Sequence, residues 1–542
     1  MMVLKYFRSV SNWLGNQLFL EKLYNPLGFG ILCALAVGIA YIVSVLGLKY
    51  SMALPILIIA IPLIGACLLD QSIGLVLILI TAFGIGLASK YAELPFGILL
   101  DALLILLFIG MLLNQIRFRV SGYAKSPISV LIFIWVIYNI IQVLNPSAGS
   151  QLAWIFTVRS MAILILLYFV ACYAFRTERI IMRTLKLIIG LTFISALYGL
   201  KQEYFGFTDA ELVWLYSDPE RIRLIHQWSR LRIFSFFSDP TNFGILLSYM
   251  CTFCLILMTG PFSNLRKIIL GVAAVSMILA MAYAGSRTPF VLMPFGLVIF
   301  ALMSMNRKVI AILGIFMVLG TGMVLKSTNS AVIYRIQSAF LLSKSDDTMR
   351  VRLENQKIIQ PFIHRHPFGG GLGSTGIWGK RFTPDSLLSS FAHDSGFVRV
   401  AVELGWIGLT IYCLFLYLVL RTSIYYYFRV RNPKIKVIYL SLTVVFFQLT
   451  LANYPQEAMT ILPTSIIFYI LLAVLVKLKD FDDVVQPPSY PKLNQHADSK
   501  LDNVQGIPIR SRQNHPNLNN LKGGKRSSPL PKKLLDFFRH KS

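Results

Sequence analysis

Negative charge is what this chain has least of. Asp and Glu number 24 against 51 Lys and Arg in 542 residues, and all charged residues together make up only 14%. Soluble domains carry about 25% charged residues, so a water-soluble globular protein is excluded. The six cysteines (Cys33, Cys67, Cys172, Cys251, Cys254 and Cys413) all fall in apolar runs, and the Cys251-x-x-Cys254 pair has no second pair or histidine beside it. They read as small apolar packing residues rather than as a redox or metal site. His364, His366 and His393 are accompanied by no Glu-x-x-His and no paired Cys, so no metal and no cofactor is expected. The Gly-rich run PFGGGLGSTG lacks the lysine of a nucleotide-binding P-loop. The basic, amphipathic N-terminus (MMVLKYFRSVSNWLGNQ) lacks a compact apolar core with a cleavage site, so no cleaved signal peptide is expected. No internal repeat is evident.

What remains is hydrophobic: 56% of the residues, with a mean hydropathy of +0.67. Apolar runs long enough to cross a hydrocarbon layer of about 30 Å recur along most of the chain. Fourteen spans are expected, at about 26–48, 52–69, 72–89, 96–115, 127–144, 154–175, 185–203, 241–259, 267–284, 288–304, 309–325, 396–419, 436–452 and 459–477. The fold class is therefore all-α, a polytopic helical membrane protein. The net charge of +27 then has a topological meaning and does not call for nucleic acid. Arg117, Arg119 and Lys125, then Arg176, Arg179 and Arg183, then Arg266 and Lys267, then Arg307 and Lys308, then Arg421 to Lys436 all follow even-numbered spans. Basic connections stay cytoplasmic, which puts both termini inside. The expected organisation is a cytoplasmic segment 1–25, a transmembrane domain 26–479 and a disordered basic tail 480–542, rich in Pro, Asn, Ser, Lys and Arg.

The odd-numbered connections then face outward, and two of them are long, about 202–240 and 326–395. In the first, Trp214, Tyr216, Leu224 and Trp228 are spaced like one apolar side of a helix lying at the headgroup level. Arg232 ends this loop and Arg287 opens the tenth span; Arg350 and Arg352 sit in the second loop, and His393-Asp394 stand at the threshold of the twelfth span. Guanidinium forks onto phosphate oxygens, and a neighbouring His or carboxylate can take a proton from a hydroxyl. The glycine run offers a backbone able to approach a phosphate or sugar. Arg159, within the sixth span, must pair or reach an interface.

The segments RLRIFSFFSDPTNFG, AGSRTPF, DDTMRVRLENQKIIQPFIHRHPFGGGLGSTG and HDSGFVRVAVELGWIGL, in that order on one membrane face, resemble the O-antigen ligase/polymerase superfamily of membrane glycosyltransferases (Wzy and WaaL type). The resemblance covers most of 150–475 and implies a GT-C-like helical enzyme of the inner (plasma) membrane, its active face external. The implied reaction is metal-independent glycan transfer from a polyprenyl-pyrophosphate lipid, with undecaprenyl pyrophosphate as carrier in polysaccharide (O-antigen or exopolysaccharide) synthesis for the cell envelope. It implies partners too: the lipid-linked glycan, the bilayer, a chain-length regulator and a flippase. The role of holding pyrophosphate falls on Arg232, Arg287 and Arg350 or Arg352. The family's ligase pattern puts its histidine where Asp394 stands, one residue after His393; either residue fits the base, and the displacement favours a polymerase over a ligase. An Arg followed eleven positions later by Gly, which describes some polymerases, occurs at Arg365 and Gly376. A transporter is the reading of another class; the near absence of charge at the midplanes and of repeats tells against it.

Overall fold

The computed structural model describes residues 62–91, 96–118, 124–227, 230–307, 309–311, 347–391 and 395–482, together with isolated positions within 26–44, at 122 and within 314–340. Helices dominate. α1 is Gln71–Tyr91, α2 Phe96–Phe118, α3 Pro127–Ile141 (prolonged by a 3-10 turn to Leu144), α4 Gln151–Ala174 and α5 Glu178–Phe205. α6 (Asp209–Tyr216) and α7 (Pro219–Ile225) are short, and a two-residue hairpin, β1 (His226–Gln227) with β2 (Arg230–Leu231), follows them. Then come α8 Pro240–Met258, α9 Asn264–Ala284, α10 Arg287–Ser304, α11 Asp347–Arg365, α12 Gly376–Phe382, α13 Leu387–Ser390, α14 Gly396–Arg429, α15 Pro433–Ala452 and α16 Thr464–Lys477.

Ten of the described helices are long and apolar enough to span a membrane, and the chain is an all-α multi-pass membrane protein. Their bounds follow the apolar runs closely: 96–118 against an expected 96–115, and 240–258 against 241–259. The expected spans 26–48, 52–69 and 309–325 lie largely outside the described residues, and the last expected span is the shorter helix α16. Helix starts follow a local rule. Ser126, Asp218, Asp239 and Asn432 each precede a proline, and each accepts a first-turn backbone N–H with its side chain. A short polar acceptor at the N-cap and a proline at N1 satisfy or remove donors that would otherwise be orphaned.

Packing sorts the helices. α8 is 83% and α15 72% buried over their membrane-length cores, against 28% for α2. The two central helices therefore pack on protein from every side while α2 turns much of its surface outward. Cys251 and Cys254 lie buried in α8, with the Cys251 thiol directed at the Ala274 carbonyl 3.6 Å away. Arg159 on α4 meets Asp101 on α2 across 3.6 Å and stands over the Phe156 ring. A charge that would be costly in lipid is thus paired between helices.

The segment after α5 is not the single interfacial helix expected from Trp214, Tyr216 and Leu224. Asp218-Pro219 restarts the helix as α7, with Asp218 as its cap. Trp214 turns inward against Phe234, 5.6 Å between ring centres, while Tyr216 and Leu224 are exposed; Trp228 lies outside the described residues. Gln202 anchors the whole segment. Its amide oxygen accepts from Phe234 N and Ser235 N at 3.2 and 2.7 Å, and its amide nitrogen donates to Glu211 at 2.7 Å. Glu211 also closes the capping box of α6, and buried Lys90 donates to the Ser235 carbonyl at 2.6 Å. Gln202→Leu leaves two backbone donors and a carboxylate short of a partner, so we expect it to cost about 3 kcal/mol, read as a lowered thermal midpoint of the purified protein in lipid nanodiscs.

Candidate functional site: a cavity at one end of the bundle

Two groups of polar side chains occupy the same end of the bundle, the end at which α8, α10, α14 and α16 start and α5, α9 and α15 finish. Contacts across the ends establish this. Gln448, near the end of α15, donates to the Leu292 carbonyl in the second turn of α10, and Gly396 N at the start of α14 donates to Asn453 O just past α15.

The first group surrounds the α9–α10 turn. Arg232 is buried, and its guanidinium donates to Ala284 O (2.9 Å), Leu224 O (3.2 Å) and Thr241 Oγ1 (3.4 Å). It therefore ties together the last carbonyl of α9, the end of α7 and the first turn of α8. Burial lowers its pKa, and the Asp239 carboxylate works against that shift. Arg287 begins α10 three residues beyond Ala284 and is half-buried. The fold thus brings Arg232 and Arg287 to one turn.

The other expected arginines lie on α11. Arg350 and Arg365 are both exposed on α11, and Arg350 stands 3.9 Å from Glu354. Fifteen residues of helix separate the two by about 22 Å, too far for both to hold one pyrophosphate. Arg352 lies in the same helix, but its side chain is outside the described residues. His393 and Asp394 are outside them too. His366 stacks on Phe362 and its Nδ1 lies 2.9 Å from the Phe362 carbonyl, at the end of α11.

The second group is built on a break in α14. Gly405 has φ 69° and ψ −176° inside the helix, and the glycine-rich turn after α11 fills the gap. Gly370 N donates to Val402 O at 2.8 Å and Ile407 N to Pro367 O at 3.4 Å. The Tyr138 hydroxyl donates to the Leu404 carbonyl at 2.7 Å. Backbone groups freed by the break are thereby satisfied from outside the helix. The glycine run is therefore not a free backbone waiting for a ligand. Gly369, with φ +73°, has no room for a Cβ against Glu403 and Gly405, and the turn is further held by Gln142 and Asn145, which donate to Phe368 O at 3.1 and 3.0 Å.

Beside the break lies a cavity of about 440 Å³ between α3, α4, α12, α14 and α16. Its inner part is apolar, lined by residues such as Leu164, Ile165 and Phe468. Ile165 stands fourteen residues past Gln151, about 21 Å along the helix, so the cavity runs deep. Its mouth is polar. Arg399 Nε donates to Glu403 at 3.2 Å and its Nη1 to Glu457 at 2.7 Å. Thr375 donates its hydroxyl to Glu403, and Gly396, two residues after Asp394, also lines the wall. Arg399, Glu403 and Glu457 were not among the expected site residues. The signal was present: two opposite charges four residues apart, in an apolar segment about to enter a membrane. What no pattern reveals is that Glu457, in the connection between α15 and α16, completes the cluster.

Residues 272–413 match the family model Wzy_C, O-antigen ligase. The match, over about a quarter of the chain, supports the O-antigen ligase/polymerase superfamily without resolving polymerase from ligase. It includes Arg287, Arg350, Arg352, Arg365, His393, Asp394, Arg399 and Glu403, and leaves Arg232 and Glu457 outside. No curated protein matches the chain.

Proposed function

From that premise we propose that the chain polymerises undecaprenyl-pyrophosphate-linked oligosaccharide repeat units at the outer face of the inner membrane. The observation that carries this reading is that the Arg232 guanidinium is held at Ala284 O, three residues before Arg287 opens α10, on the bundle end where the cavity also opens. Permanent cations there suit the charge that develops on a departing pyrophosphate. In the proposed step, the acceptor sugar hydroxyl attacks the anomeric carbon of the donor. The new glycosidic bond forms as the bond from that carbon to the lipid pyrophosphate breaks. The hydroxyl proton passes to Asp394 or His393, and the electron pair leaves with the pyrophosphate, held by Arg232 and Arg287. Arg350, Arg352 or Arg365 on α11 would meet outlying charge on the lipid-linked glycan, one at a time given their spacing.

Three strains test this: a deletion, Arg287→Ala and Asp394→Ala, with surface and lipid-linked polysaccharide analysed in each. We expect single repeats to accumulate on lipid and long chains to vanish, with transfer in Arg287→Ala membranes down at least a hundredfold. Full-length chains left on the carrier would mean the chain acts instead as a ligase. Unchanged polysaccharide in all three would sink both readings, and a carrier role would return.

A further inference from the structure

We propose that the mouth of the cavity beside the α14 break is the subsite for the acceptor saccharide, read by Asn453, Glu403 and Glu457 against the aromatic walls of Trp135, Trp378 and Tyr412. This deepens the glycosyl-transfer reading and rests on it.

Three observations lead here. Asn453 is 2% exposed and lines the cavity. Its amide nitrogen donates to the Tyr412 hydroxyl at 3.1 Å, but among the described residues its Oδ1 finds no donor. A buried acceptor without a donor is costly unless something supplies one, and a sugar hydroxyl is such a donor. Next, among the described residues the charged groups of the lining are Arg399, Glu403 and Glu457, an excess of one carboxylate. A pyrophosphate placed there would meet two carboxylates and a guanidinium whose charge they already neutralise, whereas among the described residues the hydrogen-bond partners of Arg232 are all neutral and neutral hydroxyls suit the carboxylate acceptors. The two substrates are thus separated by chemistry: the donor's phosphate charge at Arg232 and Arg287, the acceptor's hydroxyls at Asn453 and the carboxylates. Last, aromatic side chains line the same cavity, and one of them, Tyr412, is bonded to Asn453. Trp135 and Tyr412 lie 5.6 Å apart, and Trp378 stacks on Phe156 at 4.6 Å. An apolar platform with a few convergent polar groups is the usual form of a small-molecule site.

The fold explains how these groups are held. Asn453 O takes Gly396 N at 3.0 Å, tying the end of α15 to the start of α14, and any side chain at position 396 would collide with Asn453. The recognition groups therefore sit on helix ends locked to each other, next in sequence to the His393-Asp394 pair that the proposed reaction uses.

The test uses the full-length protein in lipid nanodiscs. It is titrated with carrier-free repeat-unit oligosaccharide, released from the host's own polysaccharide by partial hydrolysis, and separately with inorganic pyrophosphate. Glu457→Gln and Asn453→Leu are each expected to weaken oligosaccharide binding at least tenfold and leave pyrophosphate binding unchanged. Trp378→Ala, on α12 and partly exposed, should weaken it several-fold and guards against misfolding of the buried variants. Arg232→Gln should show the reverse pattern. In membranes supplied with lipid-linked repeats, the acceptor KM should rise with the donor KM constant, which a merely structural role would not produce. Unchanged oligosaccharide affinity in folded Glu457→Gln and Trp378→Ala would overturn the subsite, as would pyrophosphate competing with the oligosaccharide. If those variants bind normally while wild-type membranes still elongate chains, only the subsite fails. If wild-type membranes transfer nothing, the transferase reading fails while the titrations still judge the cavity.

Discussion

Gly405→Ala is expected to cost at least about 3 kcal/mol and to leave little folded protein in the membrane. Two effects add. At φ 69° and ψ −176° the backbone sits where essentially only glycine goes, a penalty of about 1–3 kcal/mol for any other residue. A Cβ there would also overlap the Pro367 carbonyl oxygen, and forcing an atom into a packed site adds about 1–3 kcal/mol more. Moving Pro367 away would break the bond from Ile407 N and loosen the turn that gives Gly370 N to Val402 O. The effect should therefore reach the cavity mouth as well as the helix. Membrane protein level and thermal midpoint provide the check, with Gly190→Ala as the control. A Cβ at Gly190 in α5 meets nothing within 4 Å, and a helical Gly→Ala change should be neutral or stabilise by about 0.5–1 kcal/mol. Equal behaviour of the two variants would show that the break is not needed.

Arg399→Met should be the second most damaging single change, at about 3–5 kcal/mol. The Arg399 side chain is 21% exposed, and it separates Glu403 at 2% from Glu457 at 13%. Without it, two carboxylates face each other in a protein-lined cavity with no cation between them. The double variant Arg399→Met with Glu403→Gln removes one of those charges and should recover part of the loss. The interaction energy of that cycle is expected to exceed about 1 kcal/mol, measured by unfolding in nanodiscs. An additive result would mean that Arg399 and Glu403 are solvated independently and that the cluster is no unit.

The helices were legible because a membrane span is a one-dimensional signal. Twenty apolar residues in a row satisfy their own backbone and need no partner to be recognised. The cap rule behaved in the same way: Asp239-Pro240 and Asn432-Pro433 mark starts that the structure keeps. Arg287 and Arg232 were legible as charged residues at span ends. That Arg232 would reach the α9–α10 turn was not, since Ala284, to which it donates, is 52 positions along the chain. The glycine run shows the opposite failure. Its composition suggested an unoccupied backbone, and the structure uses that lack of side chains to seat one loop in the break of a helix.

The sequence by itself determined the all-α membrane class and the bounds of most spans, and its motif order carried the resemblance to the superfamily. Those follow from apolar length, local caps and motif order, all of which act between near neighbours. Only the tertiary structure decided that α14 breaks at Gly405, that Arg159 pairs with Asp101, and that Arg399 joins Glu403 to Glu457 above a deep apolar cavity. The physical reason is the same in each case. A buried charge or a freed backbone group must find its partner in space, and in this chain those partners lie on other helices or on the loops between them.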